Sequence, residues 1–216
     1  MPPIISASEI RSPSPDEVSK IEAAERLLAA AVRLFFENRD VLPTVSLTAA
    51  ASQVIHDLLK HKGMSSLLRS GAVIQEEHRA QFVRWFKGFE NFLKHADNDP
   101  NARHEFDWIF AEFMLHGVAF DYGMLKRTST WPLDLFHAWA LSNHPERFVE
   151  NEHTREMFEF ARKLPRGIDK RSALGLLDEE PHGWQERRAA AWERAVAALR
   201  GRFASAQPSA GQSQRT

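Results

Sequence analysis

The chain has 216 residues, with 28 basic and 29 acidic side chains, and 43% of it is hydrophobic, including 15 Phe and 6 Trp against 1 Tyr. This is enough apolar material for a packed domain, and the near-cancelling charges exclude a whole-molecule field that would draw the chain onto nucleic acid or an anionic membrane. With no Cys, disulfides, thiolate metal sites and a Cys nucleophile are excluded together.

The N-terminal MPPIISASEIRSPSPDE lacks the basic-then-apolar order of a signal peptide, and no apolar run reaches bilayer length. A cytoplasmic protein is therefore expected. Residues 1–14 read as a disordered arm. Ser14-Pro15-Asp16-Glu17 predicts the first helix start: Ser14 caps, Pro15 suits the first helical position, and Glu17 closes a capping box. Val18, Ile21, Leu28, Val32 and Phe35 then form one apolar stripe, ended by Asn38-Arg39-Asp40 and Pro43.

A second helix is predicted from about Ser46 or Leu47 to Lys60, stopping near Gly63, with a polar loop from His61 to Ile74. The third, from about Gln75 to Ala96, carries Phe82, Trp85, Phe86, Phe89, Phe92 and Leu93 on one aromatic stripe. Asp99-Pro100 predicts the fourth. Its Phe106, Trp108, Ile109, Phe110, Phe113, Met114 and Leu115 spread over more than one side, which marks a central helix ending between Gly117 and Gly123. A fifth follows Trp131-Pro132 to about Leu141, and a sixth covers about Glu150 to Lys163. Residues 166–181 read as a linker, 182–204 as an amphipathic C-terminal helix with Trp192, Val196, Leu199 and Phe203 on its stripe, and 205–216 as a disordered tail. The predicted fold is all-α: a single helical-bundle-like domain of about six helices over residues 15–165, plus the C-terminal helix.

The stretch NFLKHADNDP, residues 91–100, concentrates polar chemistry. One reading is structural. Lys94 and His95 meet the negative end of a helix dipole, Asn98 takes a left-handed exit, and Asp99 caps the next helix. The other reading concerns the face opposite the aromatic stripe, where Arg84, Lys87, Asn91, Lys94 and His95 share a sector able to hold an anion. Asn91 and His95 are the catalytic candidates on that face.

The segments LFFENRD, SLTAAASQVIHDLLKHKG, NFLKHADNDP and LDLFHAWALSNHPERF, spanning about residues 24–149, resemble a group of bacterial helical proteins carrying an NF[FL]KHADxDP signature. The resemblance implies one helical domain and supplies no chemistry. A more distant pattern is similar to HEPN domains, helical bundles that often cleave RNA through an Arg, a polar residue and a His. Glu90-Asn91 and His95 occupy those places. Glu90 stands where the pattern has Arg, and a carboxylate there repels phosphate.

Ten His residues raise a metal reading. His56-Asp57 has the dipeptide of HD-type phosphohydrolases. Glu112 and His116, Asp134 and His137, and Glu150 and His153 each lie one turn apart, as in helical di-metal carboxylate proteins. Those proteins pair Glu-x-x-His steps with further Glu residues on partner helices, and here only Glu150 and His153 have that pattern; no cofactor is expected. No strand–turn–helix elbow surrounds a Ser, and no glycine loop cradles a phosphate. The leading expectation is a non-catalytic helical binding or interaction protein. A HEPN-like nucleic-acid binder or ribonuclease using Arg84, Asn91 and His95 is the alternative, and a metal-dependent hydrolase the third. A protein partner or second subunit is expected on the helix at 182–204, and no membrane.

Overall fold

In the computed structural model, which describes residues 17–71, 76–95, 97, 100–148, 155–162 and 167–178, Ser19 opens the first helix. Its hydroxyl accepts from the Glu22 N–H at 3.3 Å, and the Glu22 carboxylate accepts from the Ser19 N–H at 2.8 Å. This reciprocal capping box satisfies two otherwise orphaned donors. It replaces the expected start at Ser14 to Glu17: residues 17–19 are not helical, and Val18 lies outside the stripe. Helix α1 (Lys20–Glu37) buries Ala24, Leu28, Ala31, Val32, Phe35 and Phe36, and exits through Asn38 in the left-handed conformation (φ 53°).

Asp40 then caps α2 (Val41–His61), its side chain accepting from the Leu42 N–H at 2.9 Å. The second helix therefore begins five residues before Ser46. Pro43 falls within its first turn, where a missing N–H costs nothing. Helix α3 is Glu76–Lys94, close to expectation. Helix α4 (Trp108–Lys126) starts later than Asp99-Pro100 because Asp107 is the cap, accepting from the Phe110 N–H at 2.7 Å. It also runs beyond Gly123, to a left-handed Arg127. Helix α5 is Trp131–Asn143, followed by a 3-10 turn at Pro145–Arg147 and by α6 (Arg155–Ala161).

The segment expected as a linker holds α7 (Lys170–Leu177). Asp169 caps it by accepting from the Ser172 N–H at 2.7 Å. Ile168, Ala173 and Leu177 are buried in the same core as α1. Two indole N–H groups fasten this segment, Trp131 to the Leu176 carbonyl at 3.0 Å and Trp139 to the Ile168 carbonyl at 2.9 Å. The Lys170 ammonium lies 3.8 Å from the Phe35 ring centre and 4.1 Å from that of Trp108, donating to the Asn38 amide oxygen at 2.9 Å. Burial pushes its pKa down to about 8.

Among the described residues the fold is all-helical, with seven α-helices, one 3-10 turn and no strand. Helices α1 and α2 form an antiparallel hairpin; α4 packs on both, and α5 and α7 close over α1. Phe35 is the aromatic hub, meeting Trp108, Phe136 and Trp139 edge-on at 5.2 to 5.8 Å. No helix among the described residues is long and apolar enough to cross a membrane. The C-terminal helix proposed for 182–204 and the two terminal segments lie outside the described residues.

The loop between α2 and α3 seats Leu68 against Gly117 in the middle of α4. A Cβ at 117 would lie 2.8 Å from Leu68 Cδ1 and 3.1 Å from its Cβ, and Leu68 is fully buried. A Cβ at Gly88 of α3 meets nothing within 4 Å. The same substitution therefore has opposite signs at the two sites. In urea unfolding, Gly117→Ala is expected to destabilise by ~1–2 kcal/mol through overpacking, and Gly88→Ala to stabilise by ~0.5–1 kcal/mol through helix propensity.

Candidate functional sites on the third helix and between the fourth and fifth

The aromatic stripe of α3 turns inward as the sequence predicts. Phe86 and Phe89 are buried. Phe82 meets Phe113 at 5.7 Å and Phe89 meets Phe110 at 5.2 Å, so α3 docks on α4 through rings. Trp85 is the exception: Phe110 holds it edge-on at 4.3 Å, yet 41% of the residue faces solvent.

On the opposite side Arg84, Lys87, Asn91, Lys94 and His95 are all exposed. They share one sector of the helix, as their spacing requires. Glu90 is the only acid between His78 and His95, and it does not join them. It is buried and ion-paired to Arg69 of the α2–α3 loop. The Arg69 guanidinium also donates through Nε to Ser52 Oγ at 3.0 Å and lies over the Phe86 ring at 5.4 Å. The carboxylate that obstructed the HEPN-like reading thus points into the protein and is neutralised there. Among the described residues Arg84, Lys87 and Lys94 make no ion pair, which leaves the outer face basic over about three turns from Arg84 to Lys94, while the exposed Glu76 and Glu77 stand on the same sector in the first turn.

Arg69 belongs to a second buried network. Its N–H donates to Ser66 Oγ at 3.0 Å, the Ser66 hydroxyl donates to Asp121 of α4, and the Leu67 N–H donates to Asp121 at 2.8 Å. Burial raises the Asp121 pKa to about 6, although these donors favour the charged form. Sequence reading treats residues 61–74 as a polar loop and misses both Arg69 and Asp121. The available signal was a lone Asp within the otherwise apolar second half of α4.

The metal candidates come apart. Asp57 is exposed, its carboxylate accepting from the Gln53 amide at 3.0 and 3.1 Å. His56 is half-buried on the side of Arg69 and Glu90, and its pKa is lowered, chiefly by burial. Glu112 is buried and accepts from Arg147 at 3.1 Å, with His144 at 3.9 Å. His116, one turn on, turns instead to His137 of α5, Nδ1 to Nδ1 at 2.9 Å. Asp134 and His137 are both buried on α5. Glu150 and His153 lie outside the described residues. Among the described residues no three His, Asp or Glu converge as a metal site would require.

The His116–His137 contact joins α4 to α5 between the Phe136 and Phe148 rings, which lie 4.6 and 4.9 Å from the His116 ring. Across a shared Nδ1···Nδ1 bond one ring donates and the other accepts, so the accepting ring must be neutral. Burial, and then the facing His137, push the His116 pKa well below its usual value. Arg147 and His144 act in the same direction. Comparison of the chain with models of known families, with curated proteins and with solved structures finds no match.

Asp121 and His116 tilt the pH dependence of stability in opposite senses. Between pH 3.8 and about 6 the folded protein holds a proton on Asp121 that the unfolded chain releases, so stability falls as pH rises through that window. The full effect is roughly 3 kcal/mol, taking about 1.4 kcal/mol for each pKa unit. Below pH 6.5 the unfolded chain protonates a histidine that the buried pair keeps neutral, so stability falls as pH drops. Asp121→Asn keeps an acceptor for the Leu67 N–H and removes only the first slope. The difference between wild-type and variant stability in urea titrations is expected to be flat above about pH 6 and to shift toward wild type on acidification below it.

Proposed function

We propose that this protein is a non-catalytic helical binding protein that recognises an acidic partner through the outward face of α3. The observation that carries the reading is the inward turn of Glu90 onto Arg69. Without it, a carboxylate would stand between Lys87 and Lys94 and offset one of the three cations of the face that bears Arg84, Lys87, Asn91, Lys94 and His95. With it, Arg84 and Lys87 stand one turn apart and Lys94 two turns further along a rigid helix, and their side chains are held by nothing else among the described residues. Complementary charge of this kind speeds encounter and selects partners more than it adds raw affinity. The buried polar groups, by contrast, serve as tethers: Asp121 holds the loop, Tyr122 of α4 donates to Glu25 of α1, and Glu112 accepts from Arg147.

The test uses fluorescein-labelled polyglutamate followed by anisotropy. Wild-type protein is expected to bind with an affinity that falls as salt rises. The triple variant Arg84→Glu/Lys87→Glu/Lys94→Glu is expected to bind at least about tenfold more weakly, from three exposed contacts of a few tenths to 1 kcal/mol each. Its urea midpoint should be unchanged, because the altered side chains are exposed. Charge reversal at the exposed Lys20 and Lys60 serves as the control. Equal binding by wild type and triple variant at low salt removes the reading.

A further inference from the structure

Building on that reading, we infer that the partner is an acidic amphipathic α-helix of another protein, laid along α3 and crossing it at Gly88. The exposed residues Gln81, Arg84, Gly88, Asn91 and His95 follow each other at alternating three- and four-residue steps. That is the seam by which one helix accepts the side chains of another. It runs about 22 Å, some four turns.

Gly88 is the informative residue. A glycine inside a helix costs about 1 kcal/mol against alanine. This one is exposed, has no positive φ, and an added Cβ would touch nothing in its own chain within 4 Å. Nothing in the described fold requires it. A partner backbone that approaches closely does require it, because the missing side chain opens the centre of the seam.

The flanking chemistry states what kind of helix fits. Arg84, Lys87 and Lys94 call for carboxylates at matching turns. Trp85, 41% exposed and fixed by Phe110, offers the rigid aromatic edge that an apolar residue of the partner would cover. The chain's own C-terminal segment is a poor occupant, since Arg187, Arg188, Arg194, Arg200 and Arg202 repeat the sign of the face. A second copy of α3 crossing at Gly88 is disfavoured, because it brings a second Arg84, Lys87 and Lys94 onto the same contact.

The experiment uses the full chain and three probes: a helix-forming peptide of about fifteen residues with Glu and Leu at three- and four-residue steps, the same composition scrambled, and a single-stranded oligonucleotide. The ordered peptide is expected to bind at least tenfold more tightly than the scrambled one. Gly88→Leu is expected to weaken it at least tenfold while raising the melting temperature and leaving polyglutamate binding intact. Trp85→Ala is expected to weaken it several-fold. Equal binding of ordered and scrambled peptides, or full binding by Gly88→Leu, overturns the helical partner while the basic-face reading survives on polyglutamate. Tighter binding of the oligonucleotide, dependent on Trp85 but not on residue 88, overturns it in favour of nucleic acid. Loss of polyglutamate binding sensitivity to the charge triple variant would remove the underlying reading itself.

Discussion

The ion pair between Arg69 and Glu90 is the constraint on which the arrangement of α3 depends. Burying two charges is expensive, and their mutual attraction repays the cost only when further hydrogen bonds complete both ends. Arg69 meets that condition through Ser52 and the Phe86 ring. Because the arginine sits on the α2–α3 loop and the glutamate on α3, the pair also fixes how α3 is rotated about its axis. One rotation serves both faces: it drives Phe86 and Phe89 into the aromatic contact with α4, and it removes the only acid between His78 and His95 from solvent. Removing either partner would leave an uncompensated buried charge, which costs about 3–5 kcal/mol in comparable cases.

The loop carrying Arg69 is itself held from below. Ser66 and the Leu67 N–H converge on Asp121, and Leu68 fills the space left by Gly117. The chain of dependence thus runs from α4, through the loop between α2 and α3, to the sidedness of α3. The polar links are buried or half-buried, and each polar group is satisfied by another, as an interior of low dielectric demands. The imidazole pair does corresponding work between α4 and α5, joining two helices whose buried residues are mostly apolar.

Much of this was legible from spacing alone. The stripes of α1 and α3 and the all-round apolar character of α4 follow from residues three and four apart, and the structure orients them as that pattern demands. Helix starts were less legible because several capping residues competed. Ser14 and Ser19 both precede an acid three residues on, and Asp99, before a proline, competes with Asp107, before an apolar run. In each case the cap that wins adjoins the residues packed in the core, since tertiary burial outweighs a capping bond of about 1 kcal/mol. Helix α7 was hidden for a related reason. Its eight residues bury only Ala173 and Leu177, too short a period to separate from a polar linker. The exposed cations of α3 were placed correctly from sequence, whereas Arg69 was not, because nothing local ties residue 69 to residue 90. That pairing exists only once the loop has folded back, a contact 21 residues apart in sequence.

The two mid-helix glycines separate what the fold needs from what it does not. Gly117 is required by its own chain: Leu68 occupies the volume that any side chain there would take. Gly88 has no such neighbour, and the surface around it is polar, so neither packing nor solubility calls for the absence of a Cβ. Local choices in a well-specified sequence agree with the global fold, and departures gather where function imposes a second demand. On α3 that departure coincides with an unneutralised row of cations and a partly bare indole. Each feature taken singly is ordinary for a solvated helix. Together they set on one rigid element the open centre, the charge and the aromatic edge that an approaching helix would use, and they do so through the same rotation that the Arg69–Glu90 pair enforces.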